Sequence, residues 1–110
     1  METINKVELQ GTVGFTKLLE AGEKKVLHFS LVTNRVGRDK GGNNFVETSW
    51  HNMEAWEGPN IPDLTKIVKG TTVHVLGRLR YTRYIGSDNV ERTATDIVVT
   101  RLDILDATAA

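Results

Sequence analysis

Residues 57–70, EGPNIPDLTKIVKG, interrupt a chain that otherwise reads as strand. Pro59 and Pro62 bracket a break, since each lacks a backbone donor and fixes its own φ. Asp63 is placed to cap or begin a short helix through Leu64, Ile67 and Val68. Gly70 stands where a helix C-terminal glycine is expected. On both sides of this segment the apolar pattern has period two, the mark of half-buried strands. Upstream, Val7, Leu9, Val13 and Phe15 define a first strand, with Gly11 a bulge or close-approach point. Ala21-Gly22-Glu23 reads as a turn, and a second strand runs from about Lys25 to Arg35, with Leu27, Phe29 and Leu31 in phase. Residues 38–44 form a polar, glycine-rich hairpin loop, followed by a third strand from about Phe45 to Trp56. Downstream, Val73, Val75, Gly77, Leu79 and Tyr81 share one face of a fourth strand, and His74, Leu76, Arg78 and Arg80 the other. Gly86-Ser87-Asp88-Asn89 is a turn, and a fifth strand spans about Glu91 to Leu102.

Three strands, a short helix, then two strands is the element order of an all-β, five-stranded OB-fold Greek-key barrel, although other small barrels share it. The 110 residues predict one domain. The absence of cysteine excludes disulfides, thiolate zinc sites and cysteine nucleophiles. No apolar run approaches the roughly 20 residues a membrane helix needs, so no membrane contact is expected. Formal net charge is zero, which argues against a strongly basic duplex-DNA binder. The charge is nevertheless uneven: residues 71–86 contain Arg78, Arg80 and Arg83 and no acid. A neutral protein can still present a positive groove.

Strand side chains alternate faces, so Trp50, Asn52, Glu54 and Trp56 share one side of the third strand; His51, Met53 and Ala55 share the core side. At roughly 3.3 Å per residue the two indoles stand about 20 Å apart, a spacing suited to several stacked bases rather than one small ligand. The same pattern also fits tryptophans that close a barrel end or meet another subunit. Arg78 and Arg80 point away from the core, and Arg83 and Tyr84 follow directly. A basic row ending in an aromatic is what a phosphate-tracking groove with a stacking platform requires. Alone, three arginines fit a solvated face better, and it is the absence of acidic neighbours over residues 71–86 that favours binding. Arg35, Arg38 and Lys40 form a second basic group at a hairpin tip.

Nothing in the pattern points to catalysis. His28, His51 and His74 lie at no metal-ligand spacing, and Gly41-Gly42 lacks the lysine and helix of a phosphate-binding loop. No acid–base pair is evident. Neither a catalytic residue, a metal site nor a cofactor is expected.

Several segments resemble the bacterial single-stranded-DNA-binding protein family, over about residues 4–105. Asn5-Lys6-Val7 with Leu9-x-Gly11-x-Val13-Gly14 resembles the family's opening strand, and residues 29–34, FSLVTN, its second. Arg38-Asp39-Lys40 matches its basic hairpin, and Thr48-Ser49-Trp50-His51 its Thr-Glu-Trp-His segment. Lys69-Gly70-x-x-Val73-x-Val75-x-Gly77-x-Leu79-Arg80 matches the stretch after the helix. Order and spacing together carry the likeness. The resemblance implies a single OB barrel over residues 1–105, assembled as a homotetramer rather than a dimer. It implies binding of single-stranded DNA without strong sequence preference, in replication, recombination and repair, in a bacterial cytoplasm and on its nucleoid. Stacking aromatics then fall on Trp50, Trp56 and Tyr84, backbone-contacting cations on Lys6, Arg38, Lys40, Arg80 and Arg83, and a subunit interface on His51.

Three departures qualify these expectations. An aromatic common before the basic hairpin is replaced by Gly37, which removes one stacking platform. Glu57-Gly58-Pro59 replaces Gly-Lys after the last aromatic and brings a negative charge near the groove. Residues 106–110 carry no flexible extension with an acidic tip, so tail-mediated replication and repair partners are not expected if this is the natural end. Together with zero net charge, these features predict weaker binding per subunit than is usual in the family. The alternative reading is a tail-less OB-fold interaction module of a primosome-type accessory factor.

Overall fold

The computed structural model describes residues 1–106. Past Asp106, the expected short C-terminal end lies outside the described residues. Five strands, β1 (Val7–Ala21), β2 (Lys24–Arg38), β3 (Asn44–Trp56), β4 (Thr72–Ile85) and β5 (Glu91–Asp106), close into a barrel in the order β1-β2-β3-β5-β4. Neighbours are antiparallel except β3 and β5, which run parallel through Met53 opposite Ile97 and Glu54 opposite Val98. This is the OB barrel expected from the element order.

Alternation explains the core. The inward positions of the five strands bring Val13, Leu27, Phe29, Leu31, Met53, Ala55, Val73, Val75, Ile97, Val99 and Leu102 into one buried cluster. The segment between β3 and β4 is a single 3₁₀ turn, Leu64–Lys66, shorter than the helix predicted. Asp63 Oδ1 accepts from the backbone N–H and the hydroxyl of Thr65, at 3.0 and 2.7 Å. These bonds hold the Asp63 carboxyl below its usual range. Leu64 and Ile67 are buried against the barrel interior, so the turn is an apolar plug. The following loop is stitched to β1: Gly70 N–H donates to Val13 O at 2.9 Å, and Val13 N–H to Thr71 O at 2.8 Å.

Ladders run further than the sequence pattern suggests. β2 reaches Arg38 because its hairpin with β3 continues to pair beyond the core, where both faces are exposed and alternation carries little information; β5 reaches Asp106 by pairing with the start of β4 at the barrel itself, Ile104 opposite Val73. The β2–β3 hairpin closes at Arg38 opposite Asn44, and the β4–β5 hairpin at Ile85 opposite Glu91. These arms swell the molecule: its radius of gyration is 16.2 Å, against about 13 Å for a compact domain of this length.

Gly11 is a close-approach point. A Cβ there would collide with the Val32 carbonyl oxygen and sit 3.2 Å from the Thr33 methyl. Because the obstacle is backbone, Gly11→Ala should force β1 and β2 apart locally. A loss of about 1–3 kcal/mol is expected. Urea denaturation tests this, and an unchanged midpoint would show that the ladder absorbs the methyl.

Candidate nucleic-acid interface

Trp50 stands on the outer face of β3, opposite Val32 of β2, and is 66% exposed. Its ring leans towards β1: a Cβ on Gly14 would lie 2.9 Å from Trp50 Cζ3. Trp56, on the same face, is 37% exposed and donates from Nε1 to Glu54 Oε2 at 3.0 Å. Tyr84 is half-exposed on the outward parity of β4, opposite Arg92. The three aromatics therefore share the outward face of the sheet but lie on different parts of it, with the β4–β5 arm carrying the tyrosine.

Between them lies a charged cluster. Glu54 is only 8% exposed despite its outward position. Arg80 clasps it in a fork, Nη1 to Oε2 at 2.9 Å and Nη2 to Oε1 at 3.2 Å. Arg80 Nη2 also reaches Asp96 Oδ2 at 3.4 Å, directly across the β4–β5 ladder. His28 Nε2 lies 3.8 Å from Glu54 Oε1. Burial pushes the Glu54 carboxyl up, but the hydrogen bonds from Arg80 and Trp56 and the nearby charges outweigh it, so it titrates below its ordinary range. The Glu54 hydrogen bond in turn raises Arg80, against the opposing effect of burial.

The other cations differ in availability. Among the described residues no ion pair reaches Lys6, Arg38, Lys40 or Arg78. Arg38 and Lys40 flank a turn built by Asp39, whose Oδ1 accepts from the N–H groups of Gly41 and Asn43 at 2.9 Å each. Asn5 clasps β4 through both polar atoms, Nδ2 to Leu79 O at 2.8 Å and Oδ1 from Leu79 N–H at 2.9 Å. That clasp brings the neighbouring Lys6 onto the arginine-bearing strand. Arg83 is exposed and loosely paired, 3.7 Å from Glu91. His51 is half-buried, its Nε2 2.9 Å from Thr33 Oγ1. Glu57, expected to place charge near the groove, accepts from the Lys25 backbone N–H.

Reading each strand by itself leaves two features without a role. Parity puts Glu54 beside the tryptophans, but its partner Arg80 is 26 residues away and meets it only through barrel closure. Phe45 is the other. A Cβ on Gly37 would collide with Phe45 Cζ and lie 2.7 and 2.9 Å from Cε1 and Cε2, so the tip of the ring fills the space above the glycine. Arg35 Cζ lies 5.6 Å from the centre of the same ring. Gly37 opposite Phe45 is the detectable sign, but only once the register is known.

A closed five-stranded OB barrel with exposed aromatics and unpaired cations on its outward face defines an oligomer-binding class of fold. The chain belongs to the single-strand binding protein family, whose family model matches residues 4–105. It is 37% identical over 105 residues to the single-stranded DNA-binding protein of Xanthomonas axonopodis pv. citri, covering 93% of this chain and 58% of that protein. It is 30% identical over 114 residues to the mitochondrial single-stranded DNA-binding protein of Danio rerio, covering 94% of this chain and 77% of that one. The chain thus spans somewhat more than half the length of its Xanthomonas relatives. Among solved structures, the Plasmodium falciparum SSB complex with ssDNA superposes with a TM-score of 0.78 at 27% identity, covering 96% of this chain and 98% of that one. A deletion mutant of the Thermus aquaticus single-stranded DNA binding protein has the same fold, with a TM-score of 0.76 at 19% identity, covering 96% and 52%.

Proposed function

We propose that the chain binds single-stranded DNA without sequence preference, stacking bases on Trp50, Trp56 and Tyr84 while cations neutralise phosphates. The observation that carries this reading is the open outward face, where indoles lie exposed on a surface that a core would have claimed. A stacking surface tolerates any base, because every base has a π face. Membership of the family and the likeness to a structure solved with ssDNA support the same reading. Lys6, Arg38 and Lys40 supply free positive charge, joined by Arg78. Arg83 contributes from the β4–β5 arm by exchanging its loose partner for phosphate. Arg80 belongs to the same face, held by its carboxylates.

Protection of exposed strands during replication, recombination and repair is the corresponding role, non-enzymatic and free of cofactor. We place it in a homotetramer, with His51 at a subunit interface, in a bacterial cytoplasm and on its nucleoid. Among the described residues no helix is long and apolar enough to cross a membrane. The interaction-module alternative is not favoured by the family match.

Titration with oligo-dT, followed by tryptophan fluorescence across a salt series, tests the proposal. Saturable quenching is expected. Affinity should fall with salt at a log–log slope of about −0.7 per phosphate neutralised. Lys6, Arg38, Lys40 and Arg78 give about −2.8 per subunit if each meets one phosphate, before any share from Arg83. Absence of quenching at low salt in folded protein would overturn the reading.

A further inference from the structure

We infer that Glu54 and Asp96 act as a built-in counter-charge that withholds Arg80 from phosphate and fixes the indole of Trp56, making this part of the surface a stacking site with little ionic character. The inference rests on the proposed single-strand binding and assigns a positioning role within it.

The geometry is specific. Glu54 uses both carboxylate oxygens on Arg80, and Oε2 also takes the Trp56 N–H. Asp96 approaches the same guanidinium from the adjacent strand. Two carboxylates against one guanidinium leave the pocket with no net positive charge, even with His28 counted as a cation. The Arg80 side chain is 41% exposed, but releasing its charge to a phosphate would mean freeing a nearly buried carboxylate and leaving it unpaired beside the indole. The forked Arg–carboxylate pair is the stronger kind of charged hydrogen bond, so this exchange is unfavourable. Arg78, two residues earlier on β4 and outside any ion pair among the described residues, meets no such obstacle. Trp56 also differs from Trp50: its indole is tethered at Nε1, which limits the rotations it loses when a base stacks on it.

Three variants test this against oligo-dT, with the wild type titrated in parallel. Glu54→Gln keeps an acceptor for the Trp56 N–H but releases the charge of Arg80. Its salt slope should become steeper by about 0.7, which over a twentyfold range of salt amounts to roughly an eightfold gain in affinity at the low end. Asp96→Asn should steepen the slope in the same direction and by less, because Glu54 retains its fork. The charge-balanced double variant Glu54→Gln with Arg80→Gln should keep the wild-type slope. If the double variant loses about 0.7 of slope, Arg80 contacts phosphate in the wild type and the inference is overturned. An unchanged slope in folded Glu54→Gln overturns it equally, and Asp96→Asn decides the matter should Glu54→Gln fail to fold. A wild type that does not bind oligo-dT refutes the underlying proposal instead, which separates the two failures.

Discussion

Replacing Phe29 by alanine should lower the unfolding free energy by about 3–5 kcal/mol, more than any substitution on the outward face of the barrel should cost. Phe29 is 1% exposed and lies in the centre of β2, opposite Met53 on β3 and Thr16 on β1. Its ring fills the barrel where three strands converge, and the surrounding ladders fix the backbone on every side. Such a frame cannot collapse inward, so the deleted ring leaves a cavity, whose cost adds to the lost burial. Domains of this size have about 5–15 kcal/mol of stability in all, so the variant should sit close to unfolding. Denaturant titration at fixed protein concentration measures this. A midpoint shift equivalent to less than about 1.5 kcal/mol would mean that the barrel repacks, contrary to the rigidity that its closure implies.

Trp50→Ala should weaken oligo-dT binding by about 1–3 kcal/mol, or roughly five- to 150-fold. What makes the residue informative is how little it does in the free protein. Its side chain lies on the surface, so truncation removes little core packing and folding should be nearly unaffected. The loss would therefore register in binding and not in the denaturation midpoint. Trp56→Ala is a less clean test, because removing that indole also strips Glu54 of a hydrogen-bond donor. Equilibrium titration with circular dichroism as a fold control separates the two quantities. Unchanged affinity in folded Trp50→Ala would remove this tryptophan from the binding surface.

The barrel is legible in the sequence because each strand buries one face, so Leu27, Phe29 and Leu31, or Val73 and Val75, announce both the strand and its inward side. The plug is legible for a related reason, with two prolines and a capping aspartate interrupting the alternation. Lengths of the arms are not legible, since Val36, Val46 and Ile85 lie beyond the core, where an apolar residue no longer marks an inside. Likewise, Arg78 and Arg80 look equivalent along β4, and only the barrel's closure distinguishes them. β5 sits between β3 and β4, bringing Asp96 and, through the parallel pairing, Glu54 to Arg80 and leaving Arg78 without an ion pair among the described residues. Gly37 looks like a lost aromatic only while its own strand is read alone. Across the ladder, Phe45 brings an aromatic ring over that very position.

That cross-strand arrangement constrains how the protein can change over time. A side chain at position 37 would meet the Phe45 ring at its first carbon, so the ring must swing aside to admit one. Turning the ring gives up its seat over the glycine, whereas shrinking position 45 first leaves an intermediate with no ring at this place. An aromatic therefore passes from one strand to the other either by displacing the ring already there or through a form that lacks both. The two sites should vary together among descendants of this sequence, and introducing a tryptophan at position 37 should be tolerated better on an alanine-45 background than on the present one.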